Sequence, residues 1–213
     1  MPRFLFWDSP QWATYCAAYG LDAPADNNSP ENVILPLGEP GEMLARMRHD
    51  HRYTVRKRLG GMNAHWSRER SDFDLYQWFH GQASGRMTRP QKTWDLMYEF
   101  IQQGFGEVLI VRTEGEPIGA SYFYLYEKGV YWGSSARLPA LERRYPIGHF
   151  MVWEAMLRYA HQNYDYIDLG RAHPETDPTN GIGIFKHGWI KEGRTLGGAP
   201  QGRGGSMPSP SAV

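Results

Sequence analysis

The sequence predicts an α+β (α/β) fold: one mixed, mainly antiparallel sheet covered by helices. Three observations predict it. Residues 107–136 hold three strand-like runs separated by two tight-turn signals, the pattern of an antiparallel meander. A long helical pattern then opens at Pro146 and leads into the short apolar run 165–169, a crossover of the βαβ kind. The 213 residues are 41% apolar and 22% charged, enough for one core and too apolar for a generally disordered chain.

The elements follow in order from caps and periods. Ser9-Pro10 reads as an N-cap followed by Pro at the first helical position, and Gly20 ends that helix. After the polar loop 22–30, Val33-Ile34-Leu35 is a short strand. Pro40 opens a helix to about Leu59, stopped by Gly60-Gly61. Residues 62–68 are an extended segment. Ser71 caps the next helix, with Asp72 and Asp74 placed to suit its dipole. Beyond Gly85 and Pro90 a helix runs over 91–103 and stops at Gly104. Strands at 107–113, 118–126 and 130–136 follow, then a helix at 146–162 and a strand at 165–169. A short helix or turn at 181–186 and a last strand at 189–191 complete the core. From Gly193 to Val213, twelve of twenty-one residues are Gly, Pro or Ser, so a disordered tail is expected over 193–213.

Composition narrows the function. No run approaches eighteen uninterrupted apolar residues, so no transmembrane helix is expected. The first seven residues reach Asp8-Ser9-Pro10 too soon for a signal-peptide core. Cys16 is the single cysteine, which excludes an internal disulfide framework and a cysteine-rich zinc site; it reads as a small core thiol in the first helix. A soluble, reduced, cytoplasmic protein is the expectation. Lys+Arg and Asp+Glu are both 23, so no global field recruits nucleic acid or membrane. Locally the balance breaks: residues 46–70 carry eight basic side chains against Asp50 and Glu69. Arg52, Arg56 and Arg58 lack i,i+4 carboxylates, so an anionic substrate group is their expected partner. A solvated helix face is the plain alternative.

Motifs for other chemistries are missing. There is no Gly-x-Ser-x-Gly elbow. Only His49-Asp50-His51 clusters among the eight histidines, and i,i+2 side chains on a helix point apart, so no metal site is expected. Gly181-Ile182-Gly183-Ile184-Phe185-Lys186 has neither P-loop nor dinucleotide spacing and reads alone as a glycine-rich turn. Richer is the stretch from Ser134, Ser135 and Arg137 through Arg143 and Arg144 to Pro146, Gly148 and His149. It joins a strand end and arginines to a helix N-terminus, whose free amides and dipole favour phosphate.

Element order and motifs together resemble the GNAT acyltransferase fold, and within it the FemAB-like branch, the peptidoglycan-bridge aminoacyltransferases and their single-domain relatives. The residues that carry the likeness are Arg52-Tyr53-Thr54-Val55-Arg56-Lys57-Arg58, Glu116-Pro117-Ile118-Gly119-Ala120, Arg144-Tyr145-Pro146 through Trp153, Asp165-Tyr166-Ile167-Asp168-Leu169-Gly170 and Gly181 to Lys186. It covers about 46–192, which sets a GNAT-like domain there, an N-terminal extension over 1–45 and the tail. The chain departs from the peptidoglycan enzymes in having room for one such domain and no heptad arm.

The resemblance implies transfer of an acyl or aminoacyl group from acyl-CoA or aminoacyl-tRNA to an amine on a small molecule or peptide, with no permanently bound cofactor. It implies Lys186 beside the reacting ester and a backbone N–H within 132–135 for the oxyanion. Asp168 is the candidate base or amine-positioning group, with a structural cap at its strand end as the equal alternative. Ser134, Ser135, Arg137, Arg143, Arg144, Gly148 and His149 are the expected donor-binding set, and Arg52, Arg56 and Arg58 the substrate-binding one. A second class competes: a catalytically silent module holding RNA or a phosphorylated partner on the same basic surface.

Overall fold

A computed structural model of the chain describes residues 32–171 and 181–191. The expected helix at 9–20 with Cys16, the loop at 22–30 and the tail from 193 lie outside the described residues. Strands β1 (Asn32–Pro36), β2 (Asn63–Ser67), β3 (Gly106–Thr113), β4 (Glu116–Tyr126), β5 (Gly129–Arg137) and β6 (Tyr166–Arg171) form one sheet in the order β1-β6-β5-β4-β3-β2. Every pairing is antiparallel except β5 with β6. The meander and the crossover strand therefore sit side by side, as the sequence predicts.

The period of two in the meander explains why the sheet needs cover on both faces. On β3, Val108 and Ile110 enter one core while Leu109 and Val111 enter the other. The first core is closed by α3 (Arg70–Ser84) and α4 (Gln91–Gln102), through Phe73, Tyr76, Phe79, Trp94 and Met97. The second is closed by α5 (Ile147–His161), with Phe150, Met151 and Tyr159, and by α1 (Pro40–Arg46) and α2 (His49–Lys57). Gly85, at φ 66°, ends α3 in the left-handed region where a side chain would be strained.

Three expectations fail for tertiary reasons. The helix expected from Pro40 to Leu59 is two helices. Met47 is extended and fully buried, and the Arg48 amide donates to the Gly188 carbonyl (3.0 Å) in place of a helical partner. The strand expected at 189–191 is absent. The amides of Trp189 and Ile190 donate back to the Lys186 and His187 carbonyls (3.3 and 3.2 Å), continuing the turn after α6 (Gly181–His187). The Lys191 amide donates to the Arg46 carbonyl (2.8 Å), so the same segment ties down the α1–α2 break. Ser71 does not cap its helix: α3 begins at Arg70 behind Glu69, whose amide donates to Ser67 Oγ (3.0 Å).

Candidate active site

The site begins with an interruption in the sheet. Among the described residues β5 pairs with β6 only over Gly129–Tyr131 opposite Tyr166–Asp168, although both strands run on. Beyond Tyr131 they separate, and the backbone edge of residues 132–137 faces an opening. At the same level β5 carries an extra residue: Tyr122 pairs with Ser134 and Phe123 with Trp132, so Gly133 is bulged out. A Cβ at Gly133 would lie 2.6 Å from Tyr124 Cε2, so only glycine fits unless that ring moves. The bulge reverses the side-chain alternation. Trp132 packs into the α5-side core, whereas Ser134 bonds to Tyr76 of α3 on the opposite face.

At the apex of the opening stand Asp168 and Lys186. Asp168 is 4% exposed, and its oxygens accept from the Gly170 amide (2.6 Å) and from Asn32 Nδ2 (2.9 Å) on β1. Burial lowers the Lys186 pKa, and the Asp168 charge works against that shift. The two residues, eighteen apart in sequence, thus form one electrostatic unit. A Cβ at Gly170 would sit 3.2 Å from Tyr131 Oη and 3.7 Å from Lys186 Nζ, so groups from both faces converge where the strands part.

The N-terminus of α5 flanks the opening. The His149 ring lies 4.4 Å from His51 of α2 and 5.0 Å from Phe185 of α6, centroid to centroid. His51 Nε2–H donates to the Phe185 carbonyl (2.9 Å), tying α2 to α6. Gly148 is buried; a Cβ there would be 3.5 Å from an Arg137 guanidinium nitrogen and 3.6 Å from the Phe185 ring. The charges of Arg137 and Arg58 both act on His149. Arg137, Gly148 and His149 of the expected donor set therefore come together, with Arg58 from the expected substrate set beside them. Arg137 is ion-paired to Glu142. Arg143 and Arg144 are exposed, and Arg144 lies over the Tyr145 ring (5.0 Å). The Ser134 side chain points away, toward α3, and by strand alternation Ser135 faces the α5 side. Arg52 and Arg56 lie one turn apart on α2, half-buried and exposed, with no carboxylate at ion-pair distance among the described residues.

Sequence reasoning missed Asn32, His51, Tyr131 and Phe185 as parts of this site. The signal for His51 was present in His49-Asp50-His51, but its partner arrives from α5, not from its own helix.

Two histidines make the fold pH-sensitive. Burial, and then the Arg89 charge, push His80 down to about 4; burial, then His51, Arg137 and Arg58, push His149 down to about 4. Unfolded, both titrate near 6.5. Between these values the unfolded chain binds more protons, so stability falls as pH drops from 6.5 toward 4. Melting temperature across that window is expected to decline, and His80→Gln to flatten the decline. An unchanged slope in the variant would remove His80 as a cause.

No helix among the described residues is long and apolar enough to cross a membrane. No curated protein matches the chain. The crystal structure of FemX aligns with a TM-score of 0.63 at 14% identity, over 84% of this chain and 65% of that one. The C-terminal domain of a putative lysylphosphatidylglycerol synthetase from Agrobacterium fabrum aligns at 0.54 and 15% identity, over 86% of this chain and 62% of that one. The chain thus spans just under two thirds of the structures it matches, and the FemX likeness agrees with the FemAB-like architecture expected from the sequence. The model of the acetyltransferase (GNAT) domain matches residues 45–177, well over half of the chain. The protein is a member of the GNAT acetyltransferase family.

Proposed function

We propose that the protein is an N-acyltransferase that moves an acyl or aminoacyl group from acyl-CoA or aminoacyl-tRNA to an amine. The observation that carries this is the Asp168–Lys186 unit at the apex of the β5–β6 opening, beside the α5 N-terminus. The catalytic unit is 46–192 with β1 docked on β6, and the reaction takes place in the cytoplasm.

The nitrogen lone pair of a neutral amine attacks the donor carbonyl carbon. The oxyanion that forms is stabilised by the Lys186 ammonium and by a backbone N–H in the 132–135 segment. The C–S bond of a thioester, or the C–O bond of an aminoacyl ester, then breaks, and the departing oxygen or sulfur takes up a proton. Asp168, held by Gly170 and Asn32, accepts the proton that the amine loses. Lys186 serves only while charged, and burial lowers its pKa, so turnover falls on the alkaline side below the usual lysine range. Donor phosphates lie against the α5 N-terminus and Arg137, with Ser135, Arg143, Arg144, Gly148 and His149 completing the donor set, whereas the Ser134 hydroxyl, turned toward α3, is left out of it; Arg52, Arg56 and Arg58 hold an anionic group of donor or acceptor.

Incubation with a panel of acyl-CoAs and aminoacyl-tRNAs and a panel of amines tests this. Release of free thiol or deacylated tRNA that depends on the amine is expected. Tight binding of RNA with no transfer from any donor would favour the silent binding module instead. Replacing Arg52 and Arg56 together by Ala is expected to weaken binding of donor or acceptor while the melting temperature stays put. The loss should shrink as salt rises, because phosphate contacts release counterions. Equal affinity of wild type and double variant at low and moderate salt would rule the pair out of binding.

A further inference from the structure

On the sheet face opposite α5, the loop between α3 and α4 delivers a half-buried guanidinium. Arg89 donates from Nη2 to Ser134 Oγ (3.0 Å) and lies over the Trp94 ring, 5.0 Å from its centroid. No carboxylate stands at ion-pair distance from it among the described residues. The groups around it are polar and neutral. Tyr76 hydrogen-bonds to Ser134, His80 Nε2 is 3.4 Å from the same hydroxyl, and burial keeps both side chains uncharged near neutral pH. An arginine fixed by an aromatic ring and a serine, yet lacking an anion, is preorganised for an anion supplied from outside.

The surroundings indicate which anion and where its carrier lies. Tyr124 and Tyr131 stack with centroids 6.0 Å apart on the same face, forming an aromatic floor from the Ser134 end toward Gly170 and Lys186. Tyr131 and Ser134, with the bulged Gly133 between them, stand opposite Tyr124 and Tyr122, two residues apart on β4, which is about 7 Å along a strand. One cation amid neutral polar groups balances one negative charge, and the guanidinium fork fits the two oxygens of a carboxylate.

We propose that Arg89 and Ser134 form a carboxylate-binding subsite for the acceptor, so that the acceptor is an amine bearing a carboxylate roughly a dipeptide's length away, about 7 Å. The Tyr131–Tyr124 floor supports the part between, and the amine reaches the Lys186–Asp168 end. This assignment of the acceptor rests on the acyltransferase reading, but the binding of the carboxylate does not.

Calorimetric titration of the full chain with glycine, glycylglycine and triglycine, each beside its C-terminal amide, tests it without any donor. The free acids of glycylglycine or triglycine are expected to bind on the order of tenfold to a hundredfold more tightly than their amides, the range for a hydrogen bond to a charged group. Arg89→Met is expected to abolish that ratio with an unchanged melting temperature, and Arg89→Lys to restore it in part. Equal affinity of acid and amide in the wild type overturns the proposal whatever the variants do, and so does a ratio that survives in Arg89→Met. Glycine as the tightest ligand overturns the spacing, and tighter binding of the aminoalkylphosphonate analogue overturns the choice of carboxylate. Discrimination without transfer from any donor would leave this subsite standing and sink the acyltransferase; transfer without discrimination would do the reverse.

Discussion

Lys186→Met is expected to lower turnover on the order of a hundred- to a thousand-fold while leaving donor affinity nearly unchanged. The substitution keeps length and most of the packing and removes only the charge. That charge acts on the oxyanion, which exists in the transition state and not in the bound donor, so the loss falls on kcat. Removing one such stabilising contact costs about 2.7–4 kcal/mol. Folding should survive, since the wild-type ammonium is itself penalised by burial. Single-turnover rates and donor binding, measured separately, check both halves. A variant with near-normal turnover would take Lys186 out of the chemistry.

Arg158→Met should be strongly destabilising although it lies at a distance from the site. Glu107 on β3 is buried, and Arg158 of α5 clasps it with two parallel bonds (2.9 and 3.0 Å) while lying over the Trp66 ring. Among the cations of the described residues, only Arg68, at 3.7 Å, would remain to offset the carboxylate. Breaking a buried pair by removing one partner costs about 3–5 kcal/mol, roughly 10 °C of melting temperature for a chain of this size. Removing both charges, in Glu107→Leu with Arg158→Met, is expected to recover much of the loss, because no uncompensated charge then stays buried. Thermal unfolding of the single and double variants decides it; equal melting temperatures for wild type and Arg158→Met would show the clasp to be idle. The clasp also seats α5 on the sheet, and so sets where Gly148 and His149 meet the opening.

Local signals carried most of the fold. The meander was legible because alternation and tight turns are written within a few residues, at Glu114-Gly115 and Glu127-Lys128. The α1–α2 break was not, because its cause is a hydrogen bond from Arg48 to Gly188, 140 residues away. The same limit applies to the site. Lys186 and Asp168 entered through the family resemblance, and their electrostatic coupling emerges only when α6 packs over β6. Arg89 gave no signal at all: its neighbours Trp94, Ser134 and His80 belong to three different elements.

The extra residue at Gly133 has a further consequence for how such a protein can diversify. Before the bulge, even-numbered β5 residues look toward α5; after it they look toward α3, as Trp132 and Ser134 do. One strand is thereby a wall with two independently decorated sides. Substitutions at Tyr131 or Ser134 retune one chamber without altering Trp132 or Arg137 in the other, so specificity for one substrate can drift while that for its co-substrate is inherited intact. Loss of the inserted residue would leave every downstream side chain on the face it now occupies, because Trp132 and Ser134 already stand opposite adjacent residues of β4.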